Sequence, residues 1–374
     1  MRLKIGAFAG MAKDILSENN KIVIFGTGVI GSTVTPEILS TYGLSDLVEC
    51  CIDNDRSRWG TTIEICGRKV KIYGSDIIKK LPQNITVLIA ISRYYSAYEQ
   101  LKQMKETEKV SCYIIPMMCI KNFHSQGGKG VIKTTKFQVI PKKIHYMWLG
   151  GNPMPDNLLH CIDSWKKYCP DYEIIRWDES NYDVHKNKFV SQAYDNKYFG
   201  FVPDYARLEI LYNYGGIYMD TDIELIRDLD DMLYQEAFCS VEKWQVLNFG
   251  GCSGAIKGYH ALEPFLKRWE RRSLIREDGT LDNISSGLID TDIALRAGYV
   301  INGKSQNVMG MNIYTYDYFH PYDYMSGMLE KTDDTFSIHH FHGGWLDDAS
   351  RSDNIQAMKT YETLLQSAEV VDEQ

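Results

Sequence analysis

Short apolar runs, each followed by a longer stretch with helical spacing, dominate residues 1–120. KIVIFGTG (21–28) reads as a strand running into glycines, and VIGSTVTPEIL (29–39) then begins a helical pattern. VECCIDND (48–55), TVLIAIS (86–92) and SCYIIP (111–116) read as further buried strands, with helix-like SAYEQLKQMKE after the third run. Alternation of this kind predicts a small parallel α/β sheet of Rossmann-like type over 1–120. Ahead of it, Leu3, Phe8, Met11 and Ile15 are spaced as one stripe of a short helix docking on that unit. KNFHSQGGKGVIKTTKFQV keeps no period and carries Gly127, Gly128 and Gly130, so 121–139 reads as a linker.

The pattern resumes at 140. IPKKIHYMWLGG (140–151) predicts a strand entering a glycine turn, and LLHCIDSWKKY (158–168) a helix marked by Leu158, Ile162 and Trp165. Residues 171–177 alternate as a strand, and DYARLEILYNYGG (204–216) predicts a helix ended by Gly215-Gly216. GIYMDTDIEL (216–225) then reads as a strand ending in acid. A tail at 351–374 is helix-like around NIQAMKTYETLLQ and then turns acidic, where fraying is expected.

The length of 374 residues fits about two domains. A net charge of -8 and a pI near 5.6 exclude a general nucleic-acid backbone binder. The 9 Cys form no CxxC pair, which points to reduced thiols and a cytoplasmic protein. No apolar run approaches the roughly 18 residues that span a bilayer, so membrane association is at most peripheral, for instance at the inner face. IGAFAGMA mimics a signal peptide, but Lys13 and Asp14 follow at once. The 25 Tyr and 7 Trp are numerous enough to serve both cores and the stacking of bases or sugars.

Two places carry candidate chemistry. Gly26-x-Gly28-x-x-Gly31 follows a strand, and Asp53 ends the next one, as in a dinucleotide loop that holds a pyrophosphate and a ribose hydroxyl; NAD is the cofactor this would take. The alternative is a tightly packed loop with no ligand. Tyr98-x-x-x-Lys102 has the spacing of a dehydrogenase acid–base pair, yet it falls too early after the second strand and on a polar helix. The stronger place is Asp220-Thr221-Asp222, where an extended chain would point two carboxylates the same way, toward Mn²⁺ or Mg²⁺. Asp204 and Arg207 share a face of the preceding helix. A second acidic pair, Asp290 and Asp292, reads as cap and first-turn residues of another helix.

FVPDYARLEILYNYGGIYMDTDIEL resembles the signature of the DXD-containing sugar transferases of glycosyltransferase family 32. IPKKIHYMWLGGNPMP with SWKKYCPDYEIIRWDE, and the closing FSIHHFHGGW (336–345), resemble that family's opening and terminal blocks. The resemblance spans 140–350 and implies a GT-A fold holding a nucleotide-sugar. It also implies a metal-dependent, retaining transfer of a hexose from a nucleoside-diphosphate sugar, UDP in preference to GDP. The acceptor would be a hydroxyl of a glycan or lipid-linked oligosaccharide, in bacterial surface polysaccharide synthesis. By position, Trp148 would stack on the base beside Gly150, and Asp204 and Arg207 would contact the donor sugar and phosphate. Asp220 would assist and Asp222 ligate the metal, with His339, His340 and His342 competing to complete it. Asn248 would line the cleft, and Trp345 would pack near the diphosphate. At 286–288, Ser-Gly-Leu replaces the family's usual TGP. Two other classes compete: an NAD-dependent sugar-nucleotide epimerase or dehydrogenase using the first glycine loop, and a non-catalytic glycan-binding protein.

Overall fold

The computed structural model describes residues 1–28, 30–91, 94–123, 130–282, 284–342 and 348–371. The first sheet contains β1 (Arg2–Gly6), β2 (Lys21–Phe25), β3 (Val48–Ile52), β4 (Thr62–Ile65), β5 (Arg68–Tyr73), β6 (Ile85–Ile89) and β7 (Ser111–Ile114). Across the sheet they run β1-β7-β6-β2-β3-β5-β4, parallel except for the β4–β5 hairpin. The strand order reverses at β2, the kind of position where parallel α/β sheets tend to bind ligands. β1 corrects the sequence expectation: Leu3 belongs to a strand, and only Phe8, Met11 and Ile15 lie on the short helix Phe8–Ser17.

The second sheet contains β8 (Lys143–Met147), β9 (Glu173–Trp177) and β10 (Gly216–Tyr218). After β11 (Ile223–Leu225), it is continued by β12 (Ala237–Val241), β13 (Leu247–Asn248), β14 (Ser253–Ala255), β15 (Gln306–Val308) and β16 (Met311–Tyr314). The order is β15-β16-β12-β14-β10-β8-β9, with β13 on the free edge of part of β12. β11 pairs with β17 (Ser337–His339) as a separate ribbon. β8, β9 and β10 are mutually parallel, so their carboxyl ends open on one side.

As far as Val371 the tail is paired rather than frayed, and residues 372–374 lie outside the described residues. A helix at Asp348–Ser367 leads to β18 (Glu369–Val371), which pairs parallel with β1 and so extends the first sheet. The supposed linker is also anchored where it is described. Lys133 donates its N–H to the Asn312 side chain, and Thr135 and Val139 donate theirs to the carbonyls of Tyr234 and Leu233. One continuous apolar core joins Ile22 and Val87 of the first sheet to Leu208 and Trp269 beside the second. A smaller core, including Ile144, Trp165, Ile217 and Phe238, fills the other face of the second sheet.

Candidate active site

The helix Val202–Tyr214 carries Pro203 in its first turn and stops at Gly215, whose φ of 65° favours glycine. Gly216 (φ 107°) opens β10 against β8, where a Cβ would lie 2.9 Å from the Lys143 carbonyl oxygen. This double turn aims the chain from the helix into the sheet. It leaves Asp204 and Arg207, one helical turn apart, on the side where β10 ends.

Beyond Tyr218 the chain does not remain extended, contrary to the sequence expectation. Ile223 donates its N–H to the carbonyl of Asp220 at 3.2 Å, so Asp220-Thr221-Asp222 is a tight turn between β10 and β11. The two carboxylates therefore have different neighbours. Arg207 donates to Asp204 Oδ1 at 2.6 Å and lies 3.8 Å from Asp220 Oδ2, bridging helix and turn. Asp222 Oδ1 faces His339 Nε2 at 3.4 Å, and its Oδ2 accepts the His342 N–H at 3.0 Å. Burial opposes ionisation of Asp222, but His339 more than offsets it and holds the carboxyl well below its usual range. Burial pushes Asp204 up, against the pull of Arg207.

The strand register explains why His339 reaches Asp222: in the β11–β17 ribbon His339 stands opposite Ile223. Trp165 and Ser164 of the helix Asp156–Tyr168 hold that ribbon, Trp165 Nε1 donating to the Ile223 carbonyl at 2.7 Å and Ser164 Oγ accepting from the Leu225 N–H. The three histidines that spacing could not rank are now sorted by their partners. His339 faces Asp222, His340 contacts Glu224 Oε2 at 2.9 Å, and His342 approaches Asp222 chiefly through its backbone. Trp345 lies outside the described residues.

Opposite this turn lies a glycine corner. Asn248 Oδ1 accepts the N–H groups of Gly250 and Gly251, both at 2.9 Å, while its amide donates to Glu242. The Gly250 carbonyl accepts the Asp220 N–H at 2.7 Å. A Cβ on Gly250 would come 2.1 Å from Asp220 Oδ2 and 2.5 Å from Arg207 Nη1. Asn248 thus acts through the backbone that supports the acidic turn. Trp148 follows β8 on the same open side. Its N–H bonds the Trp177 carbonyl and its Nε1 bonds the Asn152 carbonyl at 2.8 Å, so the ring is fixed with its only polar atom used. Gly150 (φ 84°) turns the chain there and donates to Glu179.

The chemistry of this donor set suits one particular kind of cation. Mg²⁺ and Mn²⁺ accept one or two carboxylates and complete their shells with water and substrate phosphate. Asp220 and Asp222 supply such oxygens at one turn. Among the described residues no three His, Cys, Asp or Glu side chains converge to cage an ion unaided.

Asp290 is neither a cap nor a first-turn residue. The helix runs Ser286–Arg296, Asp290 is buried within it, and Oδ1 accepts from Trp269 Nε1 at 3.0 Å. Burial pushes this carboxyl up to about 7. Asp292 pairs with Arg296 at the surface.

In the first sheet, Gly26 (φ 109°) and Gly31 are packed so closely that a Cβ on Gly31 would sit 1.9 Å from the Gly26 carbonyl oxygen, whereas Gly28 faces open space. Asp53 is turned inward: Oδ2 accepts from Thr27 N–H and Oγ1, and Oδ1 from Asp55 N–H. Tyr98 is buried beneath the Lys102 ammonium, which lies 5.7 Å over its ring.

His145 on β8 supports the site from below. Its Nε2 donates to the Gly215 carbonyl at 2.9 Å and its Nδ1 accepts from Trp177 Nε1 at 3.2 Å, an arrangement only the neutral ring can make. Burial pushes its pKa down to about 4 from 6.5. The unfolded chain therefore takes up this proton first, and the stability present above about pH 6.5 is lost as pH falls toward 4. The full loss is about 3 kcal/mol. Urea midpoints at pH 7 and pH 5 should show it, and a His145→Asn variant with the same pH slope would overturn the assignment.

Residues 155–239, from the helix over this sheet into β12, match the family described as glycosyltransferase sugar-binding region containing DXD motif. This stretch of the chain is thus similar to the DXD region of that glycosyltransferase family. Inositol phosphoceramide mannosyltransferase 1 of Schizosaccharomyces pombe is 27% identical over 163 residues, 41% of this chain and 47% of that protein. Inositol phosphoceramide mannosyltransferase 3 of the same yeast is 32% identical over 143 residues, 36% of this chain and 37% of that protein. Subversion of eukaryotic traffic protein A of Legionella pneumophila is 26% identical over 169 residues, 37% of this chain and 26% of that protein. The chain spans less than half the length of these relatives. Among solved structures, the PaToxG glycosyltransferase aligns with a TM-score of 0.29 and 19% identity over 47% of this chain and 68% of that one. Among the described residues no helix is long and apolar enough to cross a membrane.

Proposed function

We propose that this chain is a metal-dependent, retaining glycosyltransferase of GT-A type, preceded by a Rossmann-like unit, that moves a hexose from a nucleoside-diphosphate sugar to a hydroxyl of a glycan or lipid-linked acceptor. The observation that carries this reading is the bridge made by Arg207 between Asp204 and Asp220, next to Asp222. Carboxylates and one guanidinium fixed in a common wall suit a donor with both sugar hydroxyls and a diphosphate. The mannosyltransferase relatives support a hexose donor and a lipid-borne acceptor. UDP, Mn²⁺ and a place in bacterial surface polysaccharide synthesis belong to the same proposal.

Asp220 and Asp222 would hold the Mn²⁺ or Mg²⁺, which when bound offsets the negative charge of the departing diphosphate. Arg207 adds a fixed positive charge on the same side, and its pairing with Asp204 keeps the guanidinium from swinging away. With Asp204 Oδ1 held by Arg207, attack by the acceptor on the donor's own face is the retaining route we favour over a covalent Asp204 intermediate. Trp148 would carry the base. Trp148→Ala should weaken nucleotide binding by about 1–3 kcal/mol, and calorimetry giving an unchanged affinity would refute that role. The proposal as a whole is tested by incubating the chain with a panel of nucleotide-sugars and Mn²⁺ and measuring released diphosphate. No release from any sugar nucleotide, with or without acceptor glycans, would sink it. The inward-turned Asp53 favours this reading over the dehydrogenase alternative, because that carboxylate is already occupied.

A further inference from the structure

His320 ends the short helix Tyr316–Phe319, far from the acidic turn in sequence, and it is 1% exposed. Its Nδ1 lies 3.2 Å from Nδ1 of His339, the ring whose Nε2 faces Asp222. Two nitrogens that face each other share one proton, so one ring donates and the other accepts. His339 Nε2 carries the proton directed at the carboxylate. Whichever ring holds the shared proton, His320 Nε2 is buried and without a hydrogen-bond partner among the described residues. A buried polar atom left in that condition is a cost that an apolar side chain of similar size would avoid. The surroundings nevertheless fit the imidazole closely. A Cβ on Gly251 would fall 1.7 Å from His320 Cε1, so the glycine corner that supports Asp220 also leaves space for this ring. Phe341 stacks on the His339 ring, with the ring centroids 3.8 Å apart.

We propose that His320 is a positioning residue for the reaction at the acidic turn: its Nδ1 contact fixes the His339 ring so that Nε2 stays on Asp222. This rests on the function proposed above. The chain of contacts is Asp222, His339, His320, with Gly251 as its backstop. Buried at 1% exposure, His320 is not placed to meet donor or acceptor itself. It acts on the orientation of the carboxylate by removing the freedom of His339 to turn away. Outer partners of this kind are worth about 10- to 100-fold in activity when lost.

Two variants separate positioning from packing. His320→Leu preserves most of the volume and loses the polar contact. His320→Asn loses volume and retains a polar atom near the place of Nδ1. Positioning predicts that Leu lowers kcat for donor hydrolysis about 10- to 100-fold with donor KM nearly unchanged, and that Asn retains more kcat than Leu despite the lower melting temperature. Packing alone predicts the reverse order, with Leu the more active and the more stable, and that result would overturn the proposal. The second readout needs no turnover. Long-range proton–nitrogen spectra of the metal-free protein, with His339 assigned by its loss in His339→Gln, should show the His339 ring signals displaced in Leu and nearer wild type in Asn. Unchanged His339 signals in Leu would overturn the proposal whatever the activity. A wild-type chain that releases no diphosphate would instead refute the functional reading, leaving the spectra to decide the contact.

Discussion

Replacing Asp222 by alanine should lower diphosphate release from a nucleotide-sugar by about 100- to 1,000-fold and leave the cooperative unfolding transition in place. The carboxylate is small and largely buried in the turn, and its two oxygens serve His339 and the His342 N–H rather than the apolar core. Asp222→Asn is the companion test. It preserves an oxygen for the His342 N–H but withdraws the charge, so it should be nearly as inactive with that hydrogen bond retained. An Asp222→Ala chain turning over at the wild-type rate in Mn²⁺ would remove this residue from the chemistry.

Arg207→Met should be the most destabilising of the site substitutions, by about 3–5 kcal/mol. Asp204 and Arg207 are both buried, and the variant leaves Asp204 without its partner at 2.6 Å. Protonation of Asp204 is the relief open to the variant, so the loss should shrink as pH falls. Denaturant titration measures it, and a second substitution, Asp204→Asn, on the Arg207→Met background should recover part of the loss, because the two residues share one interaction. A single-variant loss below about 1 kcal/mol would mean that the pair behaves as a surface ion pair.

The helices bearing Asp204, Arg207 and Trp165 were legible from their apolar spacing, the one with Asp204 and Arg207 also from its glycine stop. So were the strands before each glycine turn, because local pattern and tertiary burial agree there. The acidic pair was legible as residues but not as geometry. A strand continuing through Asp220 and a turn at Asp220 have the same apolar run before them, and only the Gly250 carbonyl and the β11–β17 ribbon make it a turn. His320 was invisible for a related reason: nothing near it in sequence marks a partner, and its contact arises where Tyr316–Phe319 packs under β17. Its one trace was the Gly250-Gly251 doublet just after the cleft-lining Asn248, whose second glycine accommodates the ring. Asp290 was misplaced because a buried acid inside a helix has the same letters as a first-turn acid at the surface. Asp53 was placed correctly at the end of β3, but spacing cannot show that Thr27 would claim its oxygen.

The pairing of β18 with β1 joins the two extremes of the described chain, and it bears on the order of folding. During synthesis the first sheet emerges early, yet its outer position beside β1 stays open until Glu369–Val371 has left the ribosome. For that interval an unpaired strand edge is exposed, the kind of surface that seeks other chains. Closing so long a loop is also entropically slow. Refolding should therefore show a late phase in which the Asp348–Ser367 helix and β18 dock together, and shortening the chain before Glu369 should raise aggregation more than it lowers secondary-structure content.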